Sequence, residues 1–382
     1  MTPLSRPANL TEAQIEEFGR EMDAIREEVL DSRGERDRNY IVGLIRFHRR
    51  LALGSRAILV ASLFCLPLGG PFWTLLVLGV CMLTLAKILE NMEIGHNVLH
   101  AQWDWMKDPA IQSNTWEWDL VCPSDQWMHS HNVVHHTWTN VLGKDRDIGY
   151  GMLRVTQNQR WHPFYLIQPL NAVLMSLLFE WFIALHDLEL NRLLAGKKTL
   201  GQARPMLRQI GRKTWRQIVK DYLAWPLLGA VLATPFLPDG TSFLQVFLIG
   251  LAANAVANVL RSVWLFVIIF CGHFPAGVHH FRKESVENET RAQWYVRQLL
   301  GSCNIRGGSL FHVLSGNLSH QIEHHLFPDL PSNRYPEIAP RVQAMCARYG
   351  LPYNTGSLTR QFGTTVVTIL RLSLPGPRPQ TA

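Results

Sequence analysis

The sequence predicts an all-α integral membrane protein, with four transmembrane helices in two hairpins beneath a helical cap on the cytosolic side. Three observations carry that prediction. Long apolar runs alternate with charged stretches, in a chain of 382 residues that is 47% hydrophobic and 18% charged. Between two apolar pairs lies a stretch, Arg192 to Lys220, with nine Lys or Arg and no Asp or Glu, the bias of a cytoplasmic segment. Histidines recur at helical spacing beside the predicted membrane boundaries.

The first forty-five residues are polar, with acidic and basic residues near balance, and show no secretory signal. Thr11 with Gln14 forms a capping-box pattern, and Ile15, Phe18, Met22, Ile25 and Val29 recur every three or four residues. Residues 1–45 are therefore expected to be a soluble amphipathic helix and linker, 46–374 the membrane domain and 375–382 a tail. Arg56 to Gly70 and Phe72 to Glu90 form the first apolar pair, joined at Gly69-Gly70-Pro71. The second of these runs has nineteen residues, enough to cross about 30 Å of hydrocarbon at about 1.5 Å per residue. The first is long enough only if it extends into Leu51–Ser55. Tyr222 to Leu237, a Pro238-Asp239-Gly240 turn and Phe243 to Phe270 form the second pair. Trp161 to Leu188 is apolar but interrupted by Pro163, Pro169, Glu180 and His186. It is assigned to the interface, because an even number of crossings keeps all the histidine clusters on one side. Asn254, Asn258 and Arg261 lie at membrane depth, where polar groups face a bundle interior or a cavity.

The clusters are His96 with His100, then His131, His135 and His136, then His320, His324 and His325, with His273 alone before the last. Residues four apart share a helix face, so each pair can aim two imidazoles at one point. Imidazole suits iron, copper, zinc or nickel. The six cysteines form no CxxC pair, which argues against a thiolate site and fits reducing surroundings. This many nitrogens suit two ions better than one. The other histidines, His48, His129, His162, His186, His279, His280 and His312, are assigned structural or solvated roles. A net charge of +7 raises nucleic acid as a partner, but basic residues flanking apolar runs argue for a bilayer and no nucleic acid.

These boxes resemble those of the membrane fatty-acyl desaturase family: HNVLH, HNVVHH followed by Thr137-Trp138-Thr139-Asn140, and NLSHQIEHHLFPDLP from Asn317 to Pro331. The similarity covers roughly Tyr40 to Leu374 and is nearest to a bacterial branch of stearoyl-CoA and linoleoyl-CoA desaturases. The resemblance implies a cap holding a di-iron centre, with two Fe2+ ions and O2 as co-substrate. It implies metal ligation by His96, His100, His131, His135, His136, His273, His320, His324 and His325. An Asn that holds a metal-bound water in acyl-CoA desaturases is replaced here by Ile269, and the haem motif of a fused cytochrome b5 domain is absent. The implied reaction introduces a cis double bond, delta-9 favoured, into an acyl chain on CoA or a phospholipid. It requires electrons from a separate ferredoxin- or flavin-type reductase, and it places the site on the cytoplasmic face of a plasma or inner membrane.

An unactivated methylene has no useful acidity, so its hydrogen must be removed by an oxidant rather than a side-chain base. Histidine ligands want carboxylate or carbonyl partners on their second nitrogen, for which Glu93, Asp125, Asp145, Asp147 and Glu323 are candidates. Trp103, Trp105, Trp138 and Tyr150 are the expected wall of the acyl tunnel, and the basic stretch the expected contact for a phosphate. A hydroxylase using the same ions, and a histidine-rich metal carrier or sensor, remain alternatives.

Overall fold

The computed structural model describes residues 10–376, and the first nine residues and the end of the tail lie outside that range. The chain is mostly helical, with one two-stranded parallel ladder, Asn304–Arg306 against Thr355–Ser357. Thr11 caps the Glu12–Asp31 helix through the capping box with Gln14, and Ile15, Phe18, Met22, Ile25 and Val29 are all buried. That stripe packs on Arg291–Leu300 and Tyr335–Tyr349. Asp23 pairs with Arg291 at 2.8 Å, Glu28 with Arg341 at 2.8 Å, and Arg26 with Asp329. The amphipathic helix is thus a strap across the cap. The next helix, Glu35–Phe64, runs straight through the boundary expected at residue 45, because no Pro interrupts it there and Gly43 alone does not break it.

Gly69, in the left-handed region at φ 59°, makes the first hairpin turn, and Gly70–Leu99 then runs as one 30-residue helix into the first histidine pair. Gly70–Leu99 and Phe243–His273 are long and apolar enough to cross a bilayer. Pro163–Leu177 and Phe179–Asp187, bent against each other by 101°, form a further candidate. Glu35–Phe64 carries too many arginines in its first half to qualify on composition. The other missing span is broken: a π-helical turn, Ile218–Ala224, precedes Trp225–Ala233, where Pro226 has no N–H for the Tyr222 carbonyl. Trp73, Val77, Leu170, Val173, Leu227, Val231, Leu244 and Leu248 form part of an exposed apolar belt around these helices, a surface suited to lipid rather than water. Inside it the helices close on small residues. A Cβ on Gly79 would lie 2.8 Å from Leu59, and one on Gly229 2.7 Å from Leu63.

A buried ionic knot ties the helices to the cap. Asp221 accepts from Arg56 at 2.6 Å and from Lys87 at 2.7 Å, and Lys87 also reaches Asp119 at 3.2 Å. Arg261, fully buried, bonds the Asn91 amide oxygen at 3.0 Å and lies 2.7 Å from Glu180. Asn254, Asn258 and Arg261 therefore face the bundle interior, as expected of polar groups at that depth. Removing one member of a buried pair strands the other, at a cost of about 3–5 kcal/mol. Arg261→Met should lower the unfolding temperature in detergent markedly. The double change Arg261→Met with Glu180→Leu should recover most of the loss, and failure to recover it would show that Glu180 is not the stranded charge.

Candidate metal centre

Two of the histidine boxes are built on π-helical turns, Glu90–His96 and His129–His135. In a π turn the i→i+5 pattern widens the helix, so residues four and five apart straddle one face. His131, His135 and His136 consequently all project to the same side, with the Nε2 atoms of His131 and His136 at 3.3 Å. His96 and His100 enter from the end of the Gly70–Leu99 helix, and His273 from the last residue of Phe243–His273. His324 and His325 come from the short helix Gln321–Leu326.

The rings converge in two lobes. His96, His100, His131 and His324 offer nitrogens within 4.8 Å of one another, as do His135, His273 and His325. His136 joins the lobes, forming a group of the same size with His324 and His325. The outer nitrogens are taken. Asn97 lies 3.1 Å from His96 Nδ1, both oxygens of Asp145 lie 3.1 Å from His135 Nδ1, and Gln298 Oε1 lies 3.1 Å from His325 Nδ1. Two inner ones are free: His100 Nε2 and His324 Nε2 are buried without a hydrogen-bond partner. A buried nitrogen lone pair without a donor is costly unless something ligates it, so these residues fit a bound cation.

Electrostatics favour the same reading. Burial, reinforced by neighbouring imidazoles, pushes His136, His324 and His325 well below the ordinary histidine value, leaving them neutral and able to ligate. At His135 burial acts in the same direction, but Asp145 and Asp147 outweigh it and raise the ring to about 9. Asp145 is itself held by the backbone N–H groups of Asn140 and Asp147, at 2.8 and 2.9 Å. Outer partners of this kind orient ligands, and their loss typically weakens metal binding about 10–100-fold. Asp145→Asn should lower metal affinity by that factor, measured by competition with a chelator; unchanged affinity would remove Asp145 from the site.

His320 is the one nominated ligand that does not join the others. Its backbone, at φ −100° and ψ 54°, precedes the Gln321–Leu326 helix, and its ring lies instead against His312, tilted, with centroids at 4.5 Å. Gln321 occupies the place: its side-chain amide reaches His273 Nε2 at 3.0 Å, and a Cβ on Gly272 would lie 2.9 Å from its Cδ. The signal was present in the sequence, since Gln321 lies three and four residues before His324 and His325.

Of the candidate outer carboxylates, Asp145 and Asp147 reach the histidines, and Asp147 also belongs to a group with His131 and His135. Glu93 instead ties Tyr40, Asn317 and Ser332 together, and Glu323 holds Asn304 and Tyr353. Asp125 accepts from Gln209 at the surface. His186, assigned only a structural role from sequence, bonds Asp147 at 2.9 Å and was not foreseeable, because it comes from the bent helix pair.

A narrow cavity of about 50 Å³ opens against His96, His131, His135 and His273, with Met92, Ile183, Leu265 and Ile269 farther along its wall. Tyr150 is among its lining residues. Trp103, Trp105 and Trp138 are not. Trp103 is buried against Tyr40, Trp105 lies under Arg33, and Trp138 carries Lys144 on its face at 3.4 Å. Their places are taken by Trp118 and Trp127, the latter stacked on His131 at 4.3 Å.

Residues 71–357 match the family described as "Fatty acid desaturase". Over 368 residues the chain is 48% identical to the NADPH-dependent stearoyl-CoA 9-desaturase of Mycobacterium tuberculosis, covering 96% of this chain and 82% of that one. It is 25% identical over 283 residues to the sn-1 linoleoyl-lipid 6-desaturase of Synechocystis sp., covering 72% and 74% of the two. A further 36% identity extends over 114 residues, 30% of this chain and 23% of the relative, to fatty acid desaturase 3 of Bos taurus. With three-quarters of its length matched and its histidines gathered around an apolar cavity, the chain belongs to the fatty acid desaturase family.

Proposed function

We propose that the protein is an oxygen-dependent stearoyl-CoA 9-desaturase working at two iron ions. The observation that carries this reading is the convergence of eight histidines, in two lobes, on one end of an apolar cavity. His96, His100, His131 and His324 would hold one ion and His135, His273 and His325 the other, with His136 between them. Iron held there would activate O2, the oxidant, which is reduced to two waters by two hydrogens from the chain together with two electrons and two protons from outside. The 9-position and the CoA carrier follow the mycobacterial relative, whose name also makes NADPH the electron source. A ferredoxin- or flavin-type reductase would pass those electrons on.

The chain's own residues do the positioning. Trp127 fixes the His131 ring by stacking, and Asp145 fixes His135 from behind. Met92, Ile183, Leu265 and Ile269 exclude water and hold the methylenes beside the metal end. Gln321 brings an amide to His273 where Ile269 offers none, and would take the role of the missing Asn. In the basic stretch Lys198, Lys213 and Lys220 are engaged by Glu189, Glu117 and Asp119. Arg204, Arg208 and Arg212, exposed on one helix with Arg216 and without an acidic partner among the described residues, are offered to the CoA phosphates. Four spans are proposed, with Leu51–Phe64 and the Tyr222–Ala233 region joining the two long apolar helices. The bent pair lies in the interface, and the metal end faces the cytoplasm.

Expression in a host lacking unsaturated lipid synthesis tests this directly. The expected product is stearate short of two hydrogens, with the double bond located at carbon nine by mass spectrometry. A gain of one oxygen instead would make the protein a hydroxylase.

A further inference from the structure

We propose that the outer groove between the Glu35–Phe64 and Trp225–Ala233 helices binds one anionic phospholipid, at a site separate from the metal cavity. The groove has a volume of about 490 Å³, and Leu53, Ala57, Val60, Ala61, Phe64 and Trp225 form most of its wall. Residues three, four and seven apart share a helix face. By that rule the stripe of Leu53, Ala57, Val60 and Phe64 continues toward the cap as Arg46, Arg49 and Arg50. All three arginines are exposed, and none has an acidic partner among the described residues. One strip of helix therefore presents an apolar trough topped by three free guanidinium groups.

The trough is long enough for a lipid tail. Leu53 to Phe64 spans about 16 Å at about 1.5 Å per residue, enough to seat most of an extended acyl chain. Phe64 and Phe236, with centroids at 5.6 Å, close the end beside the hairpin turns. At the upper end Arg56 is not available to a headgroup, because Asp221 and Asn254 occupy its guanidinium. It lies instead 5.0 Å from the Trp225 ring and holds that indole as a wall. A headgroup phosphate thus meets Arg49 and Arg50, which lie one turn above Leu53, and Arg46 one turn higher. Charge selects the occupant. A zwitterionic lipid brings its own cation toward three arginines, and a second copy of this chain seated face to face brings three more. An anionic lipid alone neutralises the cluster.

The site rests on the four-span reading, and one experiment separates the two. The full-length protein, purified in mild detergent with equal added phosphatidylglycerol and phosphatidylcholine, is examined by native mass spectrometry. The wild-type chain should retain phosphatidylglycerol preferentially. Arg49→Gln with Arg50→Gln should reduce that preference by about fivefold per arginine. Ala57→Trp, which fills the trough, should release both lipids, with iron content and turnover unchanged. Equal retention of the two lipids by the wild type, or undiminished retention by Ala57→Trp, would overturn the site. In membranes, Ala61→Cys should resist a water-soluble maleimide. Its labelling would overturn the span and the site together, whereas protection without selective lipid retention overturns the site alone.

Discussion

His324→Ala is expected to lower turnover by more than about a hundredfold and to cost the protein much of its iron, whereas His320→Ala should leave both nearly unchanged. The two residues are four apart in one motif, but the structure separates their roles. His324 is fully buried, belongs to two of the ligand groups, and lies within 4.9 Å, centroid to centroid, of His96, His100 and His136. Removing it opens the first lobe and frees the ring that links it to His136 and His325. His320 faces His312, and burial together with that neighbour lowers its value to about 4, so it is neutral at pH 7 and carries no charge into the centre. Iron per chain by elemental analysis, alongside turnover with stearoyl-CoA, reads both effects. Equal iron loss in the two variants would contradict the placement of His320 outside the site.

Leu265→Trp should reduce desaturation of stearoyl chains by about a hundredfold while shorter acyl chains remain substrates. Leu265 is buried, lines the cavity with Met92 and Ile183, and sits two helical turns before His273. An indole there fills part of the apolar slot two helical turns before His273, so a long chain can no longer place its ninth carbon beside the histidines. Misplacement of a reacting atom by about 1 Å already costs about a hundredfold. Overpacking itself costs about 1–3 kcal/mol, so unchanged iron content and an unfolding temperature close to wild type are the controls. A uniform loss across all chain lengths would mean that Leu265 supports the fold rather than measures the substrate.

Much of the site was legible because ligand chemistry is local. Imidazoles four apart announce a shared face wherever the backbone stays helical, and Thr11 with Gln14 announces a helix start in the same way. Sequence spacing and structural placement part where the backbone departs from that rule. At His320 the chain is still outside the helix, so identical spacing does not give an identical direction. At His131 to His136 a π turn brings three rings to one side where a regular helix would not. Nearness in sequence to the boxes does not place a tryptophan at the cavity: Trp103 and Trp138 serve separate cores, while Trp118 and Trp127 reach it. The contact of His186 with Asp147 is invisible to local spacing because the two lie 39 residues apart.

The sequence by itself determined that this chain is helical, apolar enough to enter a bilayer, and equipped with clustered imidazoles that could hold metal. Those properties follow from residue type and short-range periodicity. Which of the nine nominated histidines share a centre, which nitrogen each turns inward, and which side chains wall the cavity were decided only by tertiary structure. Those choices depend on π turns, on one residue's departure from helical geometry, and on partners such as Asp145, Gln298 and His186, placed by packing between distant segments.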